Sequence, residues 1–143
     1  MLSYTCKIAI KAVIYLASKY GTGSNAGIKE IAEYIAASEH TVGKMLQTLV
    51  KQQVINSMKG PSGGFYISEE QLKQPIINIV EAIDGAGIFK ECGLGLSKCS
   101  SAHPCPIHNE YMVARNLIEK LFATNKVDEL CRPVNSGLAY LIG

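Results

Sequence analysis

The chain of 143 residues is long enough for one solid domain, or for a small domain with an oligomerisation element. Its apolar share of 48% is that of an ordinary globular protein and excludes global disorder. The net charge of +2 does not by itself establish a nucleic-acid partner, yet residues 1–75 carry eight Lys against five acids, whereas residues 76–143 carry six Lys or Arg against seven. The basic excess therefore sits in the N-terminal half, where phosphate contacts would require it.

No apolar run approaches the roughly 18 residues of a membrane span. The stretch Ile8 to Ala17 is short and Lys11 interrupts it, and no small-residue cleavage site of a signal peptide follows. No membrane partner is expected. A cytoplasmic location is, and there thiols stay reduced and clustered cysteines more often bind metal than form disulfides.

In chain order, a first helix is predicted from about Tyr4 to Tyr20, with Ala9, Val13, Leu16 and Ala17 on one face. A Gly/Ser/Asn loop, Gly21 to Gly27, precedes a second helix with Ile28, Ile31, Ala32 and Ile35 at helical spacing. Ala36, Ala37 and Ser38 form a tight connection, with Ser38 suited to the N-cap of a third helix bearing Val42, Met45, Leu46 and Leu49. Two short amphipathic helices so joined are a helix-turn-helix pattern.

Strands are predicted at Val54 to Lys59 and Phe65 to Ser68 around Gly60-Pro61-Ser62-Gly63-Gly64, making a hairpin wing. Pro75 starts a helix with Ile76, Ile79, Val80 and Ile83 on its apolar face, ended by Gly85. From Ala86 to Pro104 periodicity disappears. Pro106 is expected to open a long helix with Ile107, Tyr111, Ala114, Ile118, Leu121 and Phe122 on a broad apolar stripe. A short helix from about Asn125 to Cys131 follows, and the last twelve residues show no strong pattern. The fold class is thus mainly α with a small β-hairpin: a winged helix-turn-helix plus a long dimerisation helix. The expected divisions are 1–85 for DNA binding, 86–105 for a cysteine-containing sensor loop and 106–143 for dimerisation.

The second helix of a helix-turn-helix enters the major groove. With its apolar residues facing the core, the surface opposite carries His40, Thr41, Lys44, Gln47, Thr48 and Lys51, preceded by Ser38. Such groups address base edges and phosphates. Gly43, bare in this helix, would permit close approach to DNA or be tolerated drift. Lys59 and Gly60 at the wing tip are candidates for a phosphate or minor-groove contact. An amphipathic helix pair alone also fits an ordinary helical domain with a solvated polar face, and the wing is what favours DNA.

The spacing Cys92-x6-Cys99-x5-Cys105, with His108 three residues on, lacks the paired Cys-x2-4-Cys knuckles of structural zinc. Wide spacing on a Gly-rich loop suits an iron–sulfur cluster, whose rim is larger than one ion. Cys105, between Pro104 and Pro106 at the expected start of the long helix, would sit where the helix dipole favours a thiolate. His108, one turn on, is a candidate fourth ligand, with His103 nearer but geometrically looser. Free thiols on a loop remain the alternative. Cys6 and Cys131 sit alone in helical patterns and read as small core residues.

These features together resemble the Rrf-two family of winged-helix regulators, IscR- and NsrR-like members included. The resemblance rests on Ile28-Lys29-Glu30-Ile31-Ala32, the wing Lys59-Gly60-Pro61-Ser62-Gly63-Gly64-Phe65, the helix Ile77 to Gly85, the three-cysteine loop and the long helix after it, over roughly residues 1–131. It implies a homodimer held by the long helix, a pseudo-palindromic double-stranded DNA operator, and cluster ligation by Cys92, Cys99 and Cys105. In IscR-like members a histidine three residues past the last cysteine completes a [2Fe–2S] site, and His108 matches it. In some NsrR-like members a first-helix aspartate of the partner binds a [4Fe–4S] cluster; Lys7 stands at that position here, so [2Fe–2S] is favoured over [4Fe–4S]. Gly43 replaces a glutamate of IscR-like recognition helices, so an operator sequence does not carry over.

The expected function is a homodimeric DNA-binding transcription regulator, repressor or activator, sensing iron–sulfur, nitric oxide or redox status through that cluster. Exposed clusters are readily lost to oxygen, so a purified form need not carry one. The alternative is a cluster-free winged-helix regulator using thiol oxidation, a small ligand or a partner as signal. An enzyme is not expected, because no substrate-pocket motif, nucleotide loop or second cluster motif is present.

Overall fold

A computed structural model describes residues 1–143. Helix α1, Tyr4–Ser18, is the central element: Cys6, Ile8, Ala9, Ala12, Val13, Ile14, Leu16 and Ala17 are all buried, so almost its whole circumference is covered. The hydroxyl of Ser3, in extended conformation, accepts the Cys6 N–H at 3.0 Å and caps it. The helix ends at Ser18, two residues short of the expected Tyr20, and the chain then turns through Gly21.

Helices α2 (Ile28–Ile35) and α3 (Glu39–Lys51) follow the apolar spacing of the sequence, burying Ile31, Ala32 and Ile35 against Val42, Met45, Leu46 and Leu49. Ala36 reverses the chain between them in the left-handed region at φ 56°. Ser38 caps α3, accepting the Thr41 N–H at 3.2 Å. Across α1 and α2, Glu30 accepts hydrogen bonds from Lys19 Nζ and Tyr15 Oη, each at 2.7 Å. The Lys19 ammonium, then the Tyr15 hydroxyl, holds the Glu30 carboxyl below its ordinary range.

The wing pairs β1 (Asn56–Met58) with β2 (Gly64–Tyr66), antiparallel, in the register Asn56 to Tyr66, Ser57 to Phe65 and Met58 to Gly64. The strands are shorter than expected, because Val54, Ile55 and Ile67 leave the hairpin to enter the core. A third backbone segment braces the wing. Ala26 and Phe65 exchange N–H···O bonds of 3.0 and 2.8 Å, and Asn25 Nδ2 donates to the Ser62 carbonyl at 3.1 Å. Only glycine suits position 64: φ is +141° and a Cβ would lie 2.8 Å from the Ala26 carbonyl oxygen.

A single-turn helix α4 (Glu69–Leu72), unforeseen from the sequence, is closed by a capping box between Ser68 and Gln71. Helix α5 (Ile77–Asp84) buries Ile79 and Val80, and a 3-10 turn over Ala86–Phe89 opens the cysteine loop. Phe89 is 2% exposed and joins Cys6 and Val80 in a small second cluster, flanked by Ile118 and Phe122.

Two expectations for the C-terminal region are corrected. The long helix α6 spans His108–Thr124 and starts after Ile107, two residues beyond the expected Pro106, because Pro106 and Ile107 form a separate turn that the Cys105 carbonyl closes with the His108 N–H at 3.1 Å. The broad stripe divides into two faces. Ile118 and Phe122 pack inward, whereas Ala114 and Leu121 point outward with Val113 and Leu117, and no residue of α6 is fully buried. Helix α7 (Val127–Asn135) runs past the expected Cys131, and its Val127 and Cys131 join the main core beside α1.

Candidate nucleic-acid interface and metal centre

Helix α3 presents the polar surface that its pattern requires. His40, Lys44, Gln47 and Lys51 are exposed, while Thr41 and Thr48 are half-buried. His40, Thr41, Lys44 and Thr48 line one groove together with Thr5 of α1 and Ile83 of α5. Gln47 and Lys51 lie outside that groove, and Lys59 and Gly60 stand exposed at the wing tip. Lys44, Lys51 and Lys59 belong to no ion pair, leaving their charges available to phosphates. Some hydroxyls are already engaged: Ser38 in capping and in a 2.9 Å contact with Thr41 Oγ1, and Thr48 with the Lys44 carbonyl at 3.1 Å. Thr5 was not legible as part of this surface, since nothing in the sequence places the start of α1 against α3. At Gly43 a Cβ would make an ordinary 3.5 Å contact with Ile28 Cδ1 of α2, so the packing does not demand glycine there.

The cysteine loop brings its three thiols together. The Sγ atoms of Cys92, Cys99 and Cys105 lie within 4.8 Å of one another. Cys92 donates to Cys105 Sγ at 3.6 Å, and Cys99 Sγ faces His108 Nδ1 at 3.1 Å. Backbone donors support the sulfurs, Leu94 N–H to Cys92 Sγ and Cys105 N–H to Cys99 Sγ, both at 3.4 Å. The Leu96 and Leu94 amides lower the Cys92 thiol to about 7, favouring a thiolate at that position. The Cys99 thiol is instead raised. Cys6 and Cys131 lie elsewhere and are buried; desolvation, then Asp84, pushes the Cys6 thiol up to about 12.

This donor set fits a soft metal. Two thiolates on one tetrahedral metal at a bond length of about 2.3 Å sit about 3.8 Å apart, close to the Cys92–Cys105 contact of 3.6 Å. His108 is in contact with Cys99 but stands outside the group of three that converge mutually. Its Nε2, the other ring nitrogen, is buried without a hydrogen-bond partner. His103 is exposed and pairs only its backbone, with Ser100.

A capped recognition helix, a braced wing and a thiol cluster on the following loop define a winged helix-turn-helix transcription regulator with a metal-competent site. The family model described as "Rrf2: Iron-dependent Transcriptional regulator" matches residues 2–133, and the chain belongs to the Rrf2 family. Its members bind DNA and are transcriptional regulators, not enzymes. The chain is 29% identical over 132 residues to an Aquifex aeolicus (strain VF5) protein named as an HTH-type transcriptional regulator, covering 91% of this chain and 90% of that one. Among solved structures, the global cysteine regulator CymR of B. subtilis superposes with a TM-score of 0.76 at 19% identity, covering 92% of this chain and 96% of that chain. T. potens IscR gives 0.75 at 17% identity, over 98% and 92% of the two chains. At these identities the structures establish the shared fold, a mostly helical chain with a two-stranded wing. No helix is long and apolar enough to cross a membrane.

Proposed function

We propose that this chain is a homodimeric regulator whose operator affinity is set by an iron–sulfur cluster, [2Fe–2S] in preference to [4Fe–4S], bound to Cys92, Cys99, Cys105 and His108. The observation that carries this reading is the convergence of three thiols within 4.8 Å on a loop beside the DNA-reading half. When bound, the cluster supplies a site that exchanges electrons and reacts with nitric oxide or oxygen. The chain's own residues supply the rest. Cys92, Cys99 and Cys105 would hold it through sulfur with His108 as the fourth ligand, and holding it would order the loop 86–105.

Phe89 then stays wedged against Cys6, Val80 and Phe122, next to the start of α1. There Asp84 accepts the Ser3 N–H at 2.9 Å, holding Thr5 beside His40 and Lys44 in the groove of the recognition helix. Loss of loop order is thereby felt at the DNA surface as a change in relative populations of two arrangements. Residues 1–85 read the DNA, with Ser38, His40, Thr41, Lys44, Gln47, Thr48, Lys51, Lys59 and Gly60 on the contact surface.

The segment 106–143 provides the dimer contact. Val113, Leu117 and Leu121 repeat every fourth residue on α6 and are 57%, 64% and 52% exposed, a stripe that a second copy would cover. Two copies present two recognition helices, suited to a pseudo-palindromic operator. The test is selection of duplexes from a random pool by the full-length protein, followed by affinity measurement with iron-loaded and metal-free samples. A selected palindrome whose affinity differs between the two states supports the reading; equal affinities sink it. A second reading, a cluster-free regulator switched by thiol oxidation, is favoured by the lowered Cys92 thiol in contact with Cys105.

A further inference from the structure

The three thiols converge, and within the group the partners of Cys99 differ from those of Cys92 and Cys105. Cys92 and Cys105 face each other, Sγ to Sγ, at 3.6 Å. Cys99 Sγ lies near both thiols and also meets two nitrogen partners, His108 Nδ1 at 3.1 Å and the Cys105 N–H at 3.4 Å. A disulfide bond is about 2.05 Å long, so Cys92 and Cys105 need approach by only about 1.5 Å. The chain between Cys92 and Cys99 can yield, because residues 93–98 are all exposed.

We propose that the metal-free protein forms an intramolecular Cys92–Cys105 disulfide on exposure to a hydroperoxide, leaving Cys99 a free thiol beside His108. Cys92, the more exposed of the two, reacts first. Its thiolate attacks a peroxide oxygen, the O–O bond breaks, and Cys92 becomes a sulfenic acid while the expelled hydroxide takes a proton to give water. The Cys105 sulfur then attacks the sulfenic sulfur, the S–O bond breaks, and the second hydroxide leaves as water with the Cys105 proton. In sum two thiols lose two electrons and one hydrogen peroxide becomes two waters. A dithiol reductant reverses the bond.

This inference deepens the thiol-oxidation reading of the same loop. It adds a consequence for the metal reading, because the disulfide removes two of three thiolate ligands. Metal loading and peroxide exposure then exclude one another until the bond is reduced.

The experiment uses full-length protein, reduced, stripped of iron by a chelator without oxygen, treated with hydrogen peroxide and alkylated before trypsin. Trypsin separates Glu91–Lys98, which holds Cys92, from Cys99–Arg115, which holds Cys99 and Cys105. The expected product is these two peptides linked, lighter by two hydrogens than their sum, with fragment ions placing the bridge at Cys105 and the alkyl group on Cys99. Cys99→Ser keeps the link, whereas Cys92→Ser and Cys105→Ser lose it. A bridge through Cys99, a bridge between two chains, or three alkylated cysteines after treatment overturns the proposal. Iron content before stripping is read separately. A protein that takes up no iron and sulfide on anaerobic reconstitution but still links Cys92 to Cys105 leaves this inference standing and sinks the cluster reading, and one isolated with iron and sulfide that forms no link once stripped does the reverse.

Discussion

Replacing Phe89 tests the route from the cysteine loop to the DNA-reading half. The ring is 2% exposed among Cys6, Val80 and the flanking Ile118 and Phe122, and it meets the Phe122 ring at a centroid distance of 6.0 Å and 48°. Phe→Ala in a core costs about 3–5 kcal/mol from forfeited transfer energy and the cavity left behind. The cluster around Phe89 is small, with only Cys6 and Val80 as fully buried companions, so its walls can partly collapse and the lower figure applies. At about 3 °C per kcal/mol for a chain of this size, Phe89→Ala should lower Tm by about 9 °C at fixed protein concentration. Phe89→Leu, which keeps most of the volume, should cost less than about 1.5 kcal/mol. With the anchor gone, Phe89→Ala should also retain less iron per chain than Phe89→Leu after gel filtration without oxygen. A Phe89→Ala protein within about 1 kcal/mol of the parent, with unchanged iron, would refute the argument that Phe89 ties the loop to α1.

Ser38→Ala removes the α3 cap and should cost about 1 kcal/mol in urea denaturation, whereas Ser38→Gly should cost only a few tenths. Gly64→Ala forces a side chain into a backbone of φ +141° and against the Ala26 carbonyl. It should therefore weaken binding to a selected duplex while leaving iron content unchanged. Lys44→Ala and Lys59→Ala should each lower the slope of log affinity against log salt by about one for every phosphate no longer neutralised, so by about two in a homodimer. Glu30, held below its ordinary range by Lys19 and Tyr15, contributes stability that is complete at neutral pH and is lost as pH falls through its depressed value. Glu30→Gln should thus cost less than about 1 kcal/mol at neutral pH, discounted for partial exposure, and should lose less stability than the parent between about pH 6 and about pH 3.

The helix-turn-helix was legible because both helices carry apolar residues at helical spacing, and Ser38 marks a boundary by its own chemistry. The wing was legible from its Gly/Pro tip. Its bracing was not, since Asn25 and Ala26 lie far from Phe65 in sequence and their bonds are largely backbone ones that no side-chain pattern reports. The α6 stripe blurred for a physical reason. Ile118 and Phe122 serve this chain's own fold while Leu117 and Leu121 face outward, and hydropathy alone cannot separate two apolar faces on one helix. At the cysteines, spacing suggested a shared ligand set. The division into a Cys92–Cys105 contact and a Cys99–His108 contact depends on loop turns that the sequence does not encode legibly.

Iron and acid-labile sulfide per chain, with a visible spectrum, on protein purified without oxygen report most directly whether these residues hold an iron–sulfur cluster. The expected result is a coloured protein with about two iron and two sulfide per chain, both lost when Cys92, Cys99 and Cys105 are replaced by alanine. A colourless protein that takes up neither after anaerobic reconstitution, or one that binds iron without sulfide, would contradict it.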